Sequence, residues 1–339
     1  MTIKTATFNG VATIEIARPE KRNALTQAMY SAMADALIAA NSDPAVRAVL
    51  ITGQPGCFTS GNDIEDFVQR PPDQGGETSP VARFMQALLS CEKPVVAAVT
   101  GAAVGIGATM LLHCDLVYVS DEARLAMPFV SLGLVPEYAS SLLVPALLGH
   151  VKAAEKLMLG EPFSGSDAVD CGIANAVLPA GELVNHARRM AERFTALPPS
   201  AVRETKRLMR APQRAQVAQV MAAEGELLAL RLRSPEAAEK LMLGEPFSGS
   251  DAVDCGIANA VLPAGEVVNH ARRMAERFNA LPPSAVRETK RLMRAPQRAQ
   301  VLQVMQAEGE LFAQRLRSPE AMEAFQAFFQ KRKPDFSKF

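Results

Sequence analysis

Cys57-Phe-Thr-Ser-Gly-Asn-Asp-Ile64 and Thr100-Gly-Ala-Ala-Val-Gly-Ile-Gly-Ala108 are the two stretches on which the reading of this chain turns. Each reads as a turn that carries the chain into a helix. In the first, Asp63 has the residue type and position of a helix cap. In the second, small residues lead into a helical pattern over Gly105–His113. Glycines at 61, 105 and 107 let the backbone turn and let another group come close to it. Around these turns lie apolar, β-branched runs that read as strands: Ala12–Ile16, Val46–Thr52, Pro94–Thr100 and Asp115–Ser120. Between them Thr26–Asn41, with Thr26 as cap, and Val81–Cys91 read as helices. Such alternation predicts an α/β architecture whose ligands sit at strand ends. Arg70–Pro80, rich in Pro and Gly, reads as a surface loop. From Gly181 onward strands almost vanish, leaving helices at Leu183–Leu197, Ser200–Arg210 and Gln213–Arg233. A last helix, Ala321–Lys331, carries Met322, Phe325, Phe328 and Phe329 on a packing face.

The chain repeats itself. Ala153–Glu236 returns as Ala237–Glu320 at a constant offset of about 84 residues, with about six substitutions, among them Leu183/Val267, Thr195/Asn279, Ala218/Leu302 and Leu228/Phe312. Solenoids use shorter units in three or more copies, so this is a tandem duplication rather than a solenoid. Without it roughly 255 residues remain, an ordinary domain size. The chain is read as a core over 1–197 and a helical C-terminal region over 198–339 that contains the second copy, 237–320. Both copies offer the same apolar faces to one core, and the shorter connection through Gly149–Lys152 favours docking of the first.

Composition narrows the function. Of 339 residues 48% are apolar and 21% charged, as in a soluble globular protein, and Lys+Arg balances Asp+Glu at 36 each. That balance gives no electrostatic reason to expect nucleic acid or a membrane as partner. No stretch reads as a membrane span or signal peptide. Cys57, Cys91, Cys114, Cys171 and Cys255 form no C-x-x-C pair, which fits a reducing compartment. The cytoplasm is the expected location; Ser337-Lys-Phe339 is close to the Ser-Lys-Leu peroxisome address without matching it, which keeps that compartment open.

The two turns, together with Arg18-Pro-Glu-Lys-Arg-Asn-Ala-Leu25, resemble the crotonase (enoyl-CoA hydratase/isomerase) superfamily. Three features most resemble its peroxisomal-type Δ3,Δ2-enoyl-CoA isomerases: the Ser-Gly-Asn-Asp loop, the Ala-Val-Gly-Ile run and Pro128-Phe-x-x-Leu-Gly-x-x-Pro-Glu-x-x-Ser-Ser141. The resemblance implies a spiral of ββα units followed by a helical C-terminal region. It implies that the backbone N–H groups of Asn62 and Ile106 form an oxyanion hole. It makes Glu137 the catalytic base. Lys21, Arg22, Ala24, Ser60, Gly61, Asp63, Ile64 and Gly105 would contact the acyl-CoA, and Lys331 would close over it from a basic tail. No cofactor is implied, because CoA is part of the substrate, and no metal. Trimers or dimers of trimers are the expected assembly.

An oxyanion hole suits proton removal beside a thioester, because negative charge then develops on the carbonyl oxygen. A hydratase of this family needs two glutamates. The matching positions here are Thr109 and Phe129, neither of which can act as a base. One carboxylate is enough for isomerisation, which moves a proton from C2 to C4.

Plainer readings stand beside these. Glu137 after Pro136 also suits a helix start, Asp63 a cap, and Asp115 a hydrogen-bonded strand end. Gly105-Ile-Gly107 lacks the third glycine of a dinucleotide fingerprint, whose place is taken by Met110. His113, His150, His186 and His270 show no metal-ligand spacing. Three functions follow: a 3-enoyl-CoA isomerase, a hydratase or other acyl-CoA enzyme of the same fold, and an acyl-CoA binder or scaffold disabled by the duplication.

Overall fold

The apolar runs pair into a six-stranded sheet. Across it lie β1 (Ile3–Phe8), β2 (Val11–Ile16), β3 (Ala48–Gly53), β5 (Val95–Val99), β7 (Leu116–Ser120) and β10 (Ala176–Leu178). β1 and β2 form an antiparallel hairpin, and every other neighbouring pair is parallel. β3 and β5 are buried along their whole length, as a parallel sheet covered on both faces requires. A smaller sheet has the order β4 (Cys57–Thr59), β6 (Ala102–Val104), β8 (Arg124–Ala126) and β9 (Phe163–Ser164). This computed structural model describes residues 2–63, 66, 79–132, 134–232, 276–293, 295, 330 and 332. The chain divides into two units, Met1–Met293 and Arg294–Phe339.

Strand periodicity sorts the core into two layers. Val49, Ile51 and Ala97 face α1 (Gln27–Ser42) and α2 (Pro80–Ser90), meeting Met29, Met33, Leu37, Phe84 and Leu88. Their neighbours Ala48, Leu50, Val96 and Ala98 face the other way. The remaining helices are α3 (Ile106–Thr109), which runs into a 3-10 turn at Met110–His113, α4 (Ser140–Leu148), α5 (His150–Ala154), α6 (Gly165–Asp170), α7 (Ala180–Arg193) and α8 (Pro199–Leu232). On α7, Leu183, Ala187 and Ala191 repeat every four residues and cover that second sheet face. Thr26 caps α1, its side chain accepting from the Met29 N–H at 3.4 Å. Ser79 caps α2 in the same way; residues 70–78 of the expected loop and nearly all of the expected helix 321–331 lie outside the described residues. Among the described residues no helix is long and apolar enough to cross a membrane.

One expectation fails. The helices read at Ser200–Arg210 and Gln213–Arg233 are one, since α8 runs through Pro212 without interruption. A proline inside a helix costs about 3 kcal/mol. Anchors on both sides offset it: Lys206 and Arg210 pair with Asp115 upstream, while Val217 and Val220 pack on Ala139 and Leu142 downstream.

The two copies of the repeated segment settle differently. The first supplies β9, α6, β10, α7 and α8. In the second, 283–293 is helical and has the sequence of 199–209, but it buries the opposite face. Leu292 and Met293 are each 3% exposed, whereas their twins Leu208 and Met209 are 62% and 77% exposed. Conversely Lys206 is buried and its twin Lys290 exposed.

Asp115 fastens α8 to the main sheet. Its Oδ2 accepts from the Val95 N–H at 2.7 Å and from Lys206 Nζ at 2.6 Å, and its Oδ1 from Arg210 Nη2 at 3.0 Å. Burial lowers the Lys206 pKa while Asp115 opposes the change. Asp115→Ala would leave that ammonium buried and unpaired, so a loss of about 3 kcal/mol is expected from urea unfolding. A loss below about 1 kcal/mol would mean that solvent already screens the pair.

Candidate active site

The two turns come together because the strands that carry them are neighbours. β4 and β6 pair in parallel, with Cys57 opposite Ala102 and Thr59 opposite Ala103, so Asn62 and Ile106 follow the same ends of adjacent strands. Gly61 has φ +96°, and a Cβ there would sit 3.0 Å from the Val104 carbonyl oxygen; Gly105 has φ +58°. Only glycine adopts such angles freely. The Leu25 N–H donates to the Gly61 oxygen at 2.8 Å, and the Asp63 N–H donates to the Leu25 oxygen at 2.9 Å. This ladder uses the residues on either side of Asn62 and leaves the Asn62 N–H out. Ile106 begins α3, where an N–H has no acceptor inside the helix. On α1 the Tyr30 hydroxyl donates to Asn62 Oδ1 at 2.5 Å.

The N-terminal motif is stitched to the first turn. Asn23 Nδ2 donates to the Cys57 oxygen at 2.7 Å, the Thr59 hydroxyl to the Asn23 oxygen at 2.7 Å, and the Ser60 N–H to the Arg22 oxygen at 3.1 Å. Arg18 Nη1 reaches both the Ala24 oxygen at 3.0 Å and Asp63 Oδ2 at 2.6 Å. Lys21, Arg22 and Ala24 are thereby brought beside Ser60, Gly61 and Asp63, with Lys21 and Arg22 exposed. The Asp63 carboxylate is already engaged, since its Oδ1 also accepts from the Asp66 N–H at 3.1 Å. Burial would raise its pKa, but the bond from Arg18 and the lesser effects of Asp66 and Lys21 hold it below the usual range. Ile64 and Lys331 lie outside the described residues.

Glu137 stands at a tight corner before α4. It is buried, and its Oε1 has no hydrogen-bond partner among the described residues. Burial pushes its pKa up to about 8, with the charge of Glu224 adding to the effect. The next two residues, Tyr138 and Ala139, are left-handed at φ 60° and 57°. His113 Nε2 donates to the Tyr138 oxygen at 2.8 Å, and its ring stacks on that tyrosine at 3.8 Å. Burial lowers the His113 pKa to about 4, keeping the ring neutral. The Tyr138 hydroxyl donates to the Met85 oxygen on α2 at 2.8 Å. From α8, Glu224 accepts the Ala139 N–H at 2.5 Å and the Ser141 N–H at 2.9 Å. Tyr30 links this corner to the first turn. Its pKa is raised well above the ordinary value, first by burial and then by the charge of Glu137.

Tyr30, His113 and Glu224 are absent from the sequence-derived site. A buried tyrosine needs a partner for its hydroxyl, which is the one signal that marks Tyr30 in advance. Thr109 and Phe129 are both buried, and the Thr109 hydroxyl has no partner among the described residues. No group of three or more His, Cys, Asp or Glu among the described residues is arranged to hold a metal.

Known proteins share this architecture. The sequence profile of the enoyl-CoA hydratase/isomerase family matches residues 6–232 and again 228–338. Human enoyl-CoA delta isomerase 2 is 33% identical over 240 residues, 69% of this chain and 61% of the human one. The chain therefore spans less than two thirds of that relative. A putative enoyl-CoA hydratase of Thermus thermophilus is 34% identical over 204 residues, 59% of this chain and 80% of its own. Among solved structures, Pseudomonas aeruginosa OdaA superposes with a TM-score of 0.69 at 56% identity, covering 71% of this chain and 98% of that one. With the fold, the paired turns and a family profile that spans most of the sequence, the chain belongs to the enoyl-CoA hydratase/isomerase (crotonase) superfamily.

Proposed function

We propose that this protein isomerises 3-enoyl-CoA to trans-2-enoyl-CoA, with Glu137 as the proton shuttle. One observation carries the reading: a buried carboxylate oxygen without a hydrogen-bond partner among the described residues, within electrostatic reach of the tyrosine that holds Asn62. Ionised Glu137 takes the C2 proton, and the charge that develops on the thioester oxygen is met by the N–H groups of Asn62 and Ile106. Protonated Glu137 then returns the proton to C4, so the double bond moves and no water is consumed. Gly61 and Gly105 allow the thioester to approach the backbone. Lys21 and Arg22 lie beside the first turn and suit the CoA phosphates. Hydration would need a second free carboxylate. Thr109 and Phe129 supply none, and both Glu224 oxygens are taken by backbone N–H groups. Assembly as trimers or dimers of trimers is part of the proposal, read out by the mass of the particle in solution.

Glu137→Gln keeps the size and removes the acceptor. Turnover of 3-hexenoyl-CoA, followed by absorbance of the conjugated product, should fall by at least about 10²–10⁴ with CoA affinity little changed. Near-normal turnover would remove Glu137 from the mechanism. Because the base works ionised, kcat/KM should rise with pH to a plateau through a midpoint near 8. The same pKa bears on stability. Between its ordinary 4.5 and about 8 the unfolded chain releases a proton that the fold retains, so stability falls across that window. Glu137→Gln should accordingly raise Tm more at pH 8 than at pH 5.

At the oxyanion hole, Asn62→Pro deletes the N–H and should cost on the order of 10²–10³ in kcat. Asn62→Ala should cost far less, since it loses only the acceptor of the Tyr30 hydroxyl. Equal losses in the two variants would place the donor elsewhere. Reversing charge at Lys21 and Arg22 should raise KM and flatten its dependence on salt, which added salt alone should mimic by weakening binding.

A further inference from the structure

Resting on the reading of Glu137 as base, we propose that Glu224 is a positioning residue for the reaction: one carboxylate on α8 holds the corner that aims Glu137 and sets how readily Glu137 ionises. Its two oxygens accept the Ala139 and Ser141 N–H groups, two and four residues beyond Glu137, at 2.5 and 2.9 Å. Ala139 is the second residue of the left-handed pair and immediately precedes α4. Its N–H therefore lies at the helix entry, where a carboxylate is also favoured by the dipole. Glu224 is 1% exposed, so this contact is built into the core.

Few titratable groups among the described residues act on the base. Glu224 approaches from α8, the Tyr30 phenol from α1, and the adjacent Tyr138 phenol, which lies in turn near Cys114 and Arg210. His113, stacked on Tyr138, is neutral. Among the described residues Glu224 is thus the one anion that acts on Glu137. Burial raises its own pKa to about 7, against the hydrogen bonds from Ser141 and Ala139. Its charge opposes ionisation of the base.

Glu224→Gln tests both roles. Glutamine offers one acceptor oxygen, and its amide faces the other backbone N–H as a second donor. With the corner loosened, kcat should fall about tenfold or more while KM changes little. With the anion gone, the pH midpoint should move below 8. Glu224→Asp retains the charge and should keep the midpoint while losing part of kcat. Glu308→Gln, at the twin position of the second copy, should change neither. The infrared carbonyl band of protonated Glu137, assigned by its loss in Glu137→Gln, gives the titration without turnover. If Glu137→Gln stays active, the base assignment fails, and the band still reports the coupling. If the band titrates in Glu224→Gln as in the parent protein and kcat is unchanged, the positioning role is overturned. A loss in Glu308→Gln instead of Glu224→Gln would overturn it too, by assigning the carboxylate to the second copy.

Discussion

The site depends on a corner that the backbone would not adopt alone. Tyr138 and Ala139 are both left-handed, and for side chains other than glycine each such residue costs roughly 1–2 kcal/mol. Four elements hold it. His113 takes the Tyr138 carbonyl and stacks on the ring, Met85 of α2 receives the Tyr138 hydroxyl, the Ser140 N–H and hydroxyl close onto the Glu137 carbonyl, and Glu224 of α8 takes two N–H groups. Such over-determination is how strain persists at a working site. It also explains why a distant helix matters: without α8 the corner would lose the anchor that satisfies the entry of α4.

The two turns were legible for a local reason. Glycines, a capping Asp and helix starts all write themselves into neighbouring residues, and the family resemblance is what joined the segments 57–64 and 100–108 before their strands were known. Long strands were legible too, because β3 and β5 are continuous apolar runs. The three-residue strands β4, β6 and β8 were not, since a run that short has no readable period. Glu224 was beyond reach for another reason. Its contacts lie 83 and 85 residues away in sequence, and its local setting, Ala223-Glu224-Gly225-Glu226, reads as solvated surface. The continuity of α8 through Pro212 failed in the same way: the anchors that hold it, Asp115 and the apolar contacts of α4, are tertiary.

The duplication separates sequence from context. Identical helical segments at 199–209 and 283–293 expose and bury opposite faces, so propensity fixes that each is a helix and leaves the choice of face to the surroundings. The segment offers two usable stripes. One, through Val202, Lys206 and Arg210, ends in cations and suits the acidic end of β7 at Asp115. The other, through Ala285, Thr289, Leu292 and Met293, is apolar and suits packing, and Met293 joins the main core. The ion pair of Arg277 with Glu161 binds the segment that precedes it. The described part of the second copy, 276–293, therefore packs without displacing the first.

The same physics makes Glu137 expensive to keep. Two buried carboxylates, Glu137 and Glu224, each with a pKa raised by desolvation, penalise folding as pH rises through neutrality. Among the described residues neither is paired with a cation. The nearby basic groups Lys206 and Arg210 are committed to Asp115, and Arg18 to Asp63. A cation beside Glu137 would lower its pKa, ease folding and weaken it as a proton acceptor. Leaving it beside Tyr30, Tyr138 and the carboxylate of Glu224 does the reverse. The arrangement sacrifices stability at the corner for a carboxylate that holds its proton more tightly than an ordinary glutamate, and the broad parallel core of β3, β5 and their covering helices offsets that loss.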